Sequence, residues 1–599
     1  MKNEIAQEPA TKQAGSRFPS ILISLIVLAG AAARALLLFS TPLVPGMNGA
    51  YYLVQARSLL QQGKLGIPDL PLTFVIQAIL AKIVQFVSGA SLESSIVFAV
   101  KFADAVLPAL VAVPVFALVR RWASRAGAGL WVPACTALAA AAGAPALVMV
   151  GDFQKNSLGL VWLAALLWAL NNWLEQPSVK RALLPVTFLG LIGVTHIGVF
   201  GWALALTALV MGVALWRCEA STRRAIVPWL FAGGAVCAVA AGLVLWKFDP
   251  ARVQRLASAA THPLTYLHQN QGPAMRGTPP GGQNNFRPQP PDGQNNFRPP
   301  GGPNGFPGGP GMLPGGWNWI PTIALLAASI GAIAAVWFRR KNLPAGSVAV
   351  VTGCALGLLI LSGPWVTGDK VMRFRLIAVG PALICGSFAI LQLRWPKVRA
   401  VVATLMALGL LVPGAMRVMR GGRPVITLEA ANELRSMSSE IPAPSKTLIV
   451  ARHGLEWWAA WYLHTHIAHA NALTEADWKN FDAVYFLRQK GGMMMPFGGP
   501  GPGRPPRFDR QFPPDSQFRP SDGPPDFAGG FPPPGDFPRR PFAQGRPGGP
   551  GGMGEPMIPR DADIAHDGEF FTLALVPTPE GFSGGPGRGF AMRPFPGDN

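Results

Sequence analysis

Apolar runs of about 18–25 residues recur through most of the first two thirds of the chain, and they constrain the fold more than any other feature. A segment in hydrocarbon must satisfy its own backbone, so runs of this length read as membrane-crossing helices. Crossings fall near 19–39, 94–119, 129–150, 157–174, 183–195, 197–216, 225–246, 317–338, 345–363, 374–393 and 399–418. Between them lie Arg120-Arg121, Lys180-Arg181, Arg223-Arg224, Arg339-Arg340-Lys341, and Arg394 with Lys397 and Arg399. The excess of basic residues in cytoplasmic loops puts all five clusters on the cytoplasmic side. Residues 46–71, Gly151–Asn156, Gly363–Lys370 and the C-terminal region then lie outside.

Residues 71–88 disturb this parity. PLTFVIQAILAKIVQFVS is apolar enough to cross, yet it carries Gln77, Lys82 and Gln85, which are costly in lipid. A re-entrant or interfacial segment suits it better, or else a crossing compensated by a break elsewhere in the chain. The expected fold is an α-helical polytopic membrane protein with about 11–13 transmembrane helices, an odd number being preferred. Lys2, Lys12 and Arg17 precede the first run, which has no small-residue cleavage site and reads as a retained signal anchor. The formal charge of +21 sits in short loops and in Pro/Gly-rich tracts. That pattern reads as topology signals and solvated tails, and no nucleic-acid partner is expected. Cys135, Cys218, Cys237, Cys354 and Cys385 lie in apolar runs or a short basic loop, so no disulfide framework is expected.

Two tracts cannot bury a core. Residues 272–316 hold a near repeat, GQNNFRP at 282–288 and at 293–299, and residues 491–560 are mostly Gly, Pro, Phe and Arg. Both read as disordered insertions. Deleting residues 278–312 should therefore leave membrane insertion and activity nearly intact. Loss of membrane-inserted protein on deletion would show that the tract is structural. The expected organisation is a cytoplasmic N-terminus at 1–18 and a transmembrane domain at 19–418. Within that domain lie a first external loop at 40–70 and a second, with its Gly/Pro-rich tract, at 249–316. A small α/β extracytoplasmic domain follows at 421–490, then the insertion at 491–560 and a final strand and tail at 561–599. Within the small domain, 427–438 and 455–465 read as helices and Thr447–Ala451, Ala483–Leu487 and Phe570–Val576 as strands.

The first external loop reads GMNGAYYLVQARSLLQQGKLGIPDLPL from Gly46. Tyr52, Ala56, Leu59 and Leu60 share one helical face, and Gly63 is a C-terminal stop. This stretch resembles the first external loop of the GT-C membrane glycosyltransferases. That superfamily includes protein O-mannosyltransferases, aminoarabinose transferases and oligosaccharyltransferase catalytic subunits. The resemblance implies sugar transfer from a polyprenyl-phosphate donor. The family loop carries an acid just before the tyrosines, where this chain has Asn48.

Candidate site residues follow from both readings. Asp69, the only carboxylate of the first loop, is a candidate general base or an N-cap for a helix from Leu70. Asn48, with Tyr51 and Tyr52 beside it, is a candidate substrate contact or the N-cap of the helix from Gly49. Asp152 and Lys155 lie in a short outer loop that resembles the family's second acidic loop. Asp152 would position the acceptor or a metal, and Lys155 would meet a lipid phosphate. His196 is an ionisable group within apolar sequence. Lys370, Arg373 and Arg375 stand at the outer start of a crossing, where a guanidinium suits a lipid-linked phosphate. His453-Gly454-Leu455-Glu456-Trp457-Trp458 weakly resembles the Trp-Trp acceptor motif of oligosaccharyltransferases, so Trp457 and Trp458 are candidate substrate contacts or packing residues. HTHIAH, with His464, His466 and His469, lacks an adjoining acid or Cys partner for a metal.

The expected function is a membrane glycosyltransferase acting at the outer face of the cell inner (plasma) membrane. Its partners would be a polyprenyl-phosphate-sugar donor, a lipid, protein or glycan acceptor, and membrane lipid. A divalent metal is an open cofactor. The alternatives are a transporter or flippase of lipid-linked substrates, or a non-catalytic relative that binds lipid-linked sugar.

Overall fold

The computed structural model describes residues 17–217, residues 320–490 apart from 340–342, 364–368, 470–472 and 474, and residues 562–577, with scattered positions in 223–247 and 556–559. The Gly/Pro-rich tracts and most of the crossing at 225–246 lie outside the described residues. The protein is a mostly helical, multi-pass membrane protein with a small sheet-containing unit near its C-terminus.

The described helices, in chain order, are α1 (Phe18–Phe39), α2 (Gly49–Gln62), α3 (Leu72–Ser88), α4 (Leu92–Val106), α5 (Ala112–Arg125), α6 (Trp131–Ala142), α7 (Ala144–Val148), α8 (Gln154–Glu175), α9 (Val179–Gly193) and α10 (Ile197–Arg217). After residues 248–319 come α11 (Ile320–Arg339), α12 (Ala345–Leu361), α13 (Asp369–Leu391) and α14 (Pro396–Arg420). Eight helical stretches among the described residues are long and apolar enough to span a bilayer, and α3 and α12 are shorter apolar helices. Close packing inside the bundle depends on small residues. Gly353 and Gly357 on α12 face α10, where an added Cβ would come within 2.6 Å of Val210 and 2.7 Å of Leu206.

The stretch Leu92–Arg125 is 34 residues long, bridged by a 3-10 turn at Pro108–Val111. At 1.5 Å per residue it measures about 50 Å, more than the hydrocarbon thickness of about 30 Å. Its N-terminal turns use the excess: Ile96, Ala99 and Val100 are buried in the same core as α2 and the C-terminal unit. The α3 segment is tied to the bundle by Gln77, whose side-chain amide donates to Gln154 at 2.6 Å. That bond gives one of its costly polar groups a partner.

The C-terminal unit is a five-stranded sheet in the order β2-β1-β3-β5-β4. Strands β1 (Thr447–Ala451), β2 (His466–His469) and β3 (Ala483–Gln489) are parallel, and β5 (Phe571–Leu575) and β4 (Asp563–Asp567) add antiparallel pairs. Every residue of β1 is buried, which explains its unbroken apolar run. Helices α15 (Leu428–Ser436) and α16 (Leu455–Leu463) pack beside the sheet, with α17 (Glu475–Asn480) after β2. Edge strands β2 and β4, HIAH and DIAHD, are absent from the sequence reading. Both are short, and polar residues break any apolar alternation.

Helix α2 joins the unit to the bundle. Arg57 is buried and donates to the Trp461 carbonyl at 2.7 Å and the Ala460 carbonyl at 2.6 Å, satisfying open groups near the end of α16. Its guanidinium lies 4.7 Å from the centre of the Trp461 ring. Burial lowers its pKa to about 10, which leaves it charged at neutral pH.

Candidate functional site

Three segments meet where the bundle faces the sheet unit: Pro45–Asn48 before α2, Gly151–Lys155 at the start of α8, and Arg452–Glu456 at the start of α16. Glycine makes the first contact possible. Gly46 has φ of 89° and Gly151 has φ of 81°. A Cβ at Gly46 would sit 2.9 Å from Asp152 Cγ, and one at Gly151 would sit 2.1 Å from the Pro45 carbonyl oxygen. Only glycine fits both the conformation and the space. Gly46 also donates to the Arg423 carbonyl at 3.0 Å, which fixes the loop to the segment after α14.

Asp152 is buried at this junction. Its Oδ1 accepts the Asn48 backbone N–H at 2.7 Å and the Asn48 side-chain amide at 3.3 Å. Asn48 occupies the N-cap position of α2, yet its side chain makes no capping bond. The capping expectation for Asn48 is therefore replaced: its amide is turned onto Asp152. Burial pushes the Asp152 carboxyl above the usual carboxylate range. The amides of Asn48 and Met47 and the charges of His453 and Arg417 offset that only in part. Tyr52 donates its hydroxyl to the Asp152 backbone carbonyl at 3.3 Å.

Asp69 is also buried, but its surroundings differ. Its Oδ2 receives the Tyr51 hydroxyl and the Lys155 ammonium, and its Oδ1 accepts the Leu70 N–H at 2.7 Å. Helix α3 starts at Leu72 with Pro71 before it, so Asp69 is not its cap. Lys155, expected to meet a phosphate, is paired with Asp69 and lies 5.4 Å from the Tyr51 ring centre. Burial, followed by the charge of Asp69 and its hydrogen bond, drives the Tyr51 hydroxyl well above the ordinary phenol range. Tyr51 stays a neutral donor.

The remaining expected residues divide. Arg373 is exposed, and its charge reaches His453. Arg375 points instead to α11, donating to Thr322 at 2.8 Å. His196 caps α10, its Nδ1 accepting the Val199 N–H at 3.2 Å. Trp457 and Trp458 are core residues rather than open substrate contacts. Trp457 packs edge-on against Tyr51 at 4.9 Å, and Trp458 is fully buried and stacked on Tyr462 at 5.9 Å. His464 precedes β2 in a left-handed conformation, while His466 contacts the Ser445 carbonyl at 3.0 Å. The side chain of His469, and Lys370 beyond its helical backbone, lie outside what is described.

Two features are missing from the sequence reading. Arg34 on α1 and Asp104 on α4 form a buried ion pair at 2.6 Å. Arg34 also donates to the Asp104 and Ala146 carbonyls at 2.7 Å each, and Asp104 Oδ2 accepts the Gly151 N–H at 2.8 Å. This pair holds the Asp152 loop from below. The signal was available, since each is a charge inside an apolar run. The second feature is His453, whose Nδ1 lies 2.7 Å from Glu456 Oε1. Burial lowers its pKa, but the Glu456 hydrogen bond and charge outweigh that, with help from Asp152, and raise it overall.

Chemically, the site offers one carboxylate without an ion pair among the described residues, Asp152, beside cationic groups. His453 engages Glu456, and the charges of His453 and Arg417 act on Asp152. Among the described residues, no group of three or more His, Cys, Asp or Glu comes together. A small, mostly apolar pocket inside the bundle is lined by Met149, Ser157, Leu163, Leu376, Val379 and Ile384, with Arg34 on its wall; Asp152 is not among its lining residues.

No family model matches the chain, and no curated protein matches it in sequence. Among solved structures, it is similar to the oligosaccharyltransferase of Archaeoglobus fulgidus in the apo form, with a TM-score of 0.49 at 12% identity, over 80% of this chain and 70% of that one. It is also similar to ArnT from Cupriavidus metallidurans in the apo state, with a TM-score of 0.46 at 13% identity, over 75% of this chain and 86% of that one. The same protein bound to undecaprenyl phosphate gives 0.44 at 11%, over 76% and 86%.

Proposed function

We propose that the protein is a membrane glycosyltransferase that moves a sugar from a polyprenyl-phosphate donor to an acceptor hydroxyl at the outer face of the cell membrane. The observation that carries this reading is Asp152: a buried carboxylate, pushed above the usual range by that burial, with no ion pair among the described residues, held by Asn48 and facing the charges of His453 and Arg417. Asp152 takes the acceptor proton, because a base with a raised pKa is the better proton acceptor. The acceptor oxygen attacks the anomeric carbon, the bond from that carbon to the phosphate oxygen breaks, and the lipid phosphate departs with the bonding pair. Arg373 and Arg417 supply positive charge for that leaving group. Asp69 holds Lys155 and Tyr51 in place and leaves the proton chemistry to Asp152.

The test uses purified protein in nanodiscs with polyprenyl-phosphate-linked sugars and a panel of lipid, glycan and peptide acceptors. Released polyprenyl phosphate should match sugar gained by the acceptor, mole for mole. Donor binding without transfer to any acceptor, or net donor movement across the bilayer without cleavage, would overturn the proposal.

A further inference from the structure

A second polar pocket lies at the far end of the bundle from Asp152. Helix α8 measures the separation: Gln154 stands beside Asp152, and Glu175 stands at the other end, 22 residues or about 33 Å away. Arg125, Arg339 and Arg399 line the pocket together with Gln392, Trp122 and Phe388. No carboxylate is among the described residues that line it. Glu175, nearby, is already shared by Arg121 and Arg125 at 2.5 Å each. Arg399 donates to the carbonyls of Leu393 at 2.6 Å and Ala126 at 3.2 Å, which orient its guanidinium without cancelling its charge. Arg339 is exposed and makes no ion pair among the described residues.

The floor of the pocket is apolar: Trp122 packs edge-on against Phe388 at 5.2 Å. Trp131, Trp337 and Trp395 at the neighbouring helix ends are 57%, 62% and 64% exposed. Tryptophans exposed at helix ends mark the depth of lipid headgroups. Two arginines without an ion pair among the described residues, Arg339 and Arg399, with Arg125 paired to Glu175 beside them, stand over an apolar floor at that depth and match a phosphate whose acyl chains enter the bilayer. A free phosphate would have no use for the floor. We propose that this pocket binds the phosphate of an anionic glycerophospholipid between the ends of α5, α11, α13 and α14. The site does not depend on the glycosyltransferase reading.

The experiment is native mass spectrometry of full-length protein released from phosphatidylcholine nanodiscs containing phosphatidylglycerol. Wild type should retain phosphatidylglycerol over phosphatidylcholine. Arg339→Gln and Arg399→Gln should each weaken retention about fivefold, the size of one arginine contact at a lipid surface, and Arg339→Lys should keep most of it. Millimolar inorganic phosphate should not displace the lipid. Equal retention by Arg339→Gln, no preference over phosphatidylcholine, or displacement by inorganic phosphate would each overturn the proposal. Arg399 also tethers two carbonyls, so if Arg399→Gln fails to fold, Arg339→Gln decides alone.

Discussion

Replacing Asp152 with Asn should lower turnover about 10²–10⁴-fold, the usual contribution of a general base, while donor affinity changes little. The amide keeps the side-chain shape and an oxygen that still accepts the Asn48 N–H, so the loop has no reason to move. The pH profile adds a second reading. A base must be ionised, so activity falls as pH falls through the carboxyl pKa. Because burial raises that pKa, the acid limb should begin above the range of an ordinary aspartate and disappear in Asp152→Asn. Steady-state rates in the nanodisc transfer assay from pH 4 to 9 would show this. Full activity of the variant would remove Asp152 from the chemistry.

Arg34→Met should cost about 3–5 kcal/mol of stability, because it strands the Asp104 carboxylate in the bundle. The double variant Arg34→Met with Asp104→Leu should recover much of that loss, since it replaces both charges by apolar groups. Its activity should stay low, because the Gly151 N–H has lost its acceptor and the Asp152 loop its anchor. Thermal unfolding in detergent measures the first effect and the transfer assay the second. Equal destabilisation by the single and double variants would mean that the cost comes from packing around Arg34 and not from a stranded charge.

The helical bundle was legible because hydropathy and basic clusters act over long windows. The central strands were legible for a related reason: TLIVA is buried on both faces and AVYFL is buried or half-buried, so both read as unbroken apolar runs. Edge strands HIAH and DIAHD were not, since strand pairing and not side-chain pattern holds them in the sheet. At the candidate site, composition pointed to Asp69 and Asp152 but not to their difference. That difference comes from partners 18, 86 and 104 positions away, Tyr51, Lys155 and Asn48. The same holds for Asn48 itself: local rules favoured a cap, and a distant carboxylate claimed its amide. Trp457 and Trp458 were open between substrate contact and packing, and their burial in the core shared by α2 and α16 places them as packing residues.

Helix α2 has no acidic residue in its own first turn, and the negative charge at that end comes from Asp152 on another segment. A charge so placed stabilises a helix by about 0.3–1 kcal/mol. Under the proposed chemistry, each proton taken by Asp152 removes that charge while the product is still present. Helix α2 also carries Arg57, which grips the end of α16. Protonation at the first turn of this 14-residue helix thus weakens the element that carries the tether, Arg57 being its ninth residue. The helix that seats the sheet unit would be most stabilised before transfer and least just after it, so its stability follows the protonation state of the base.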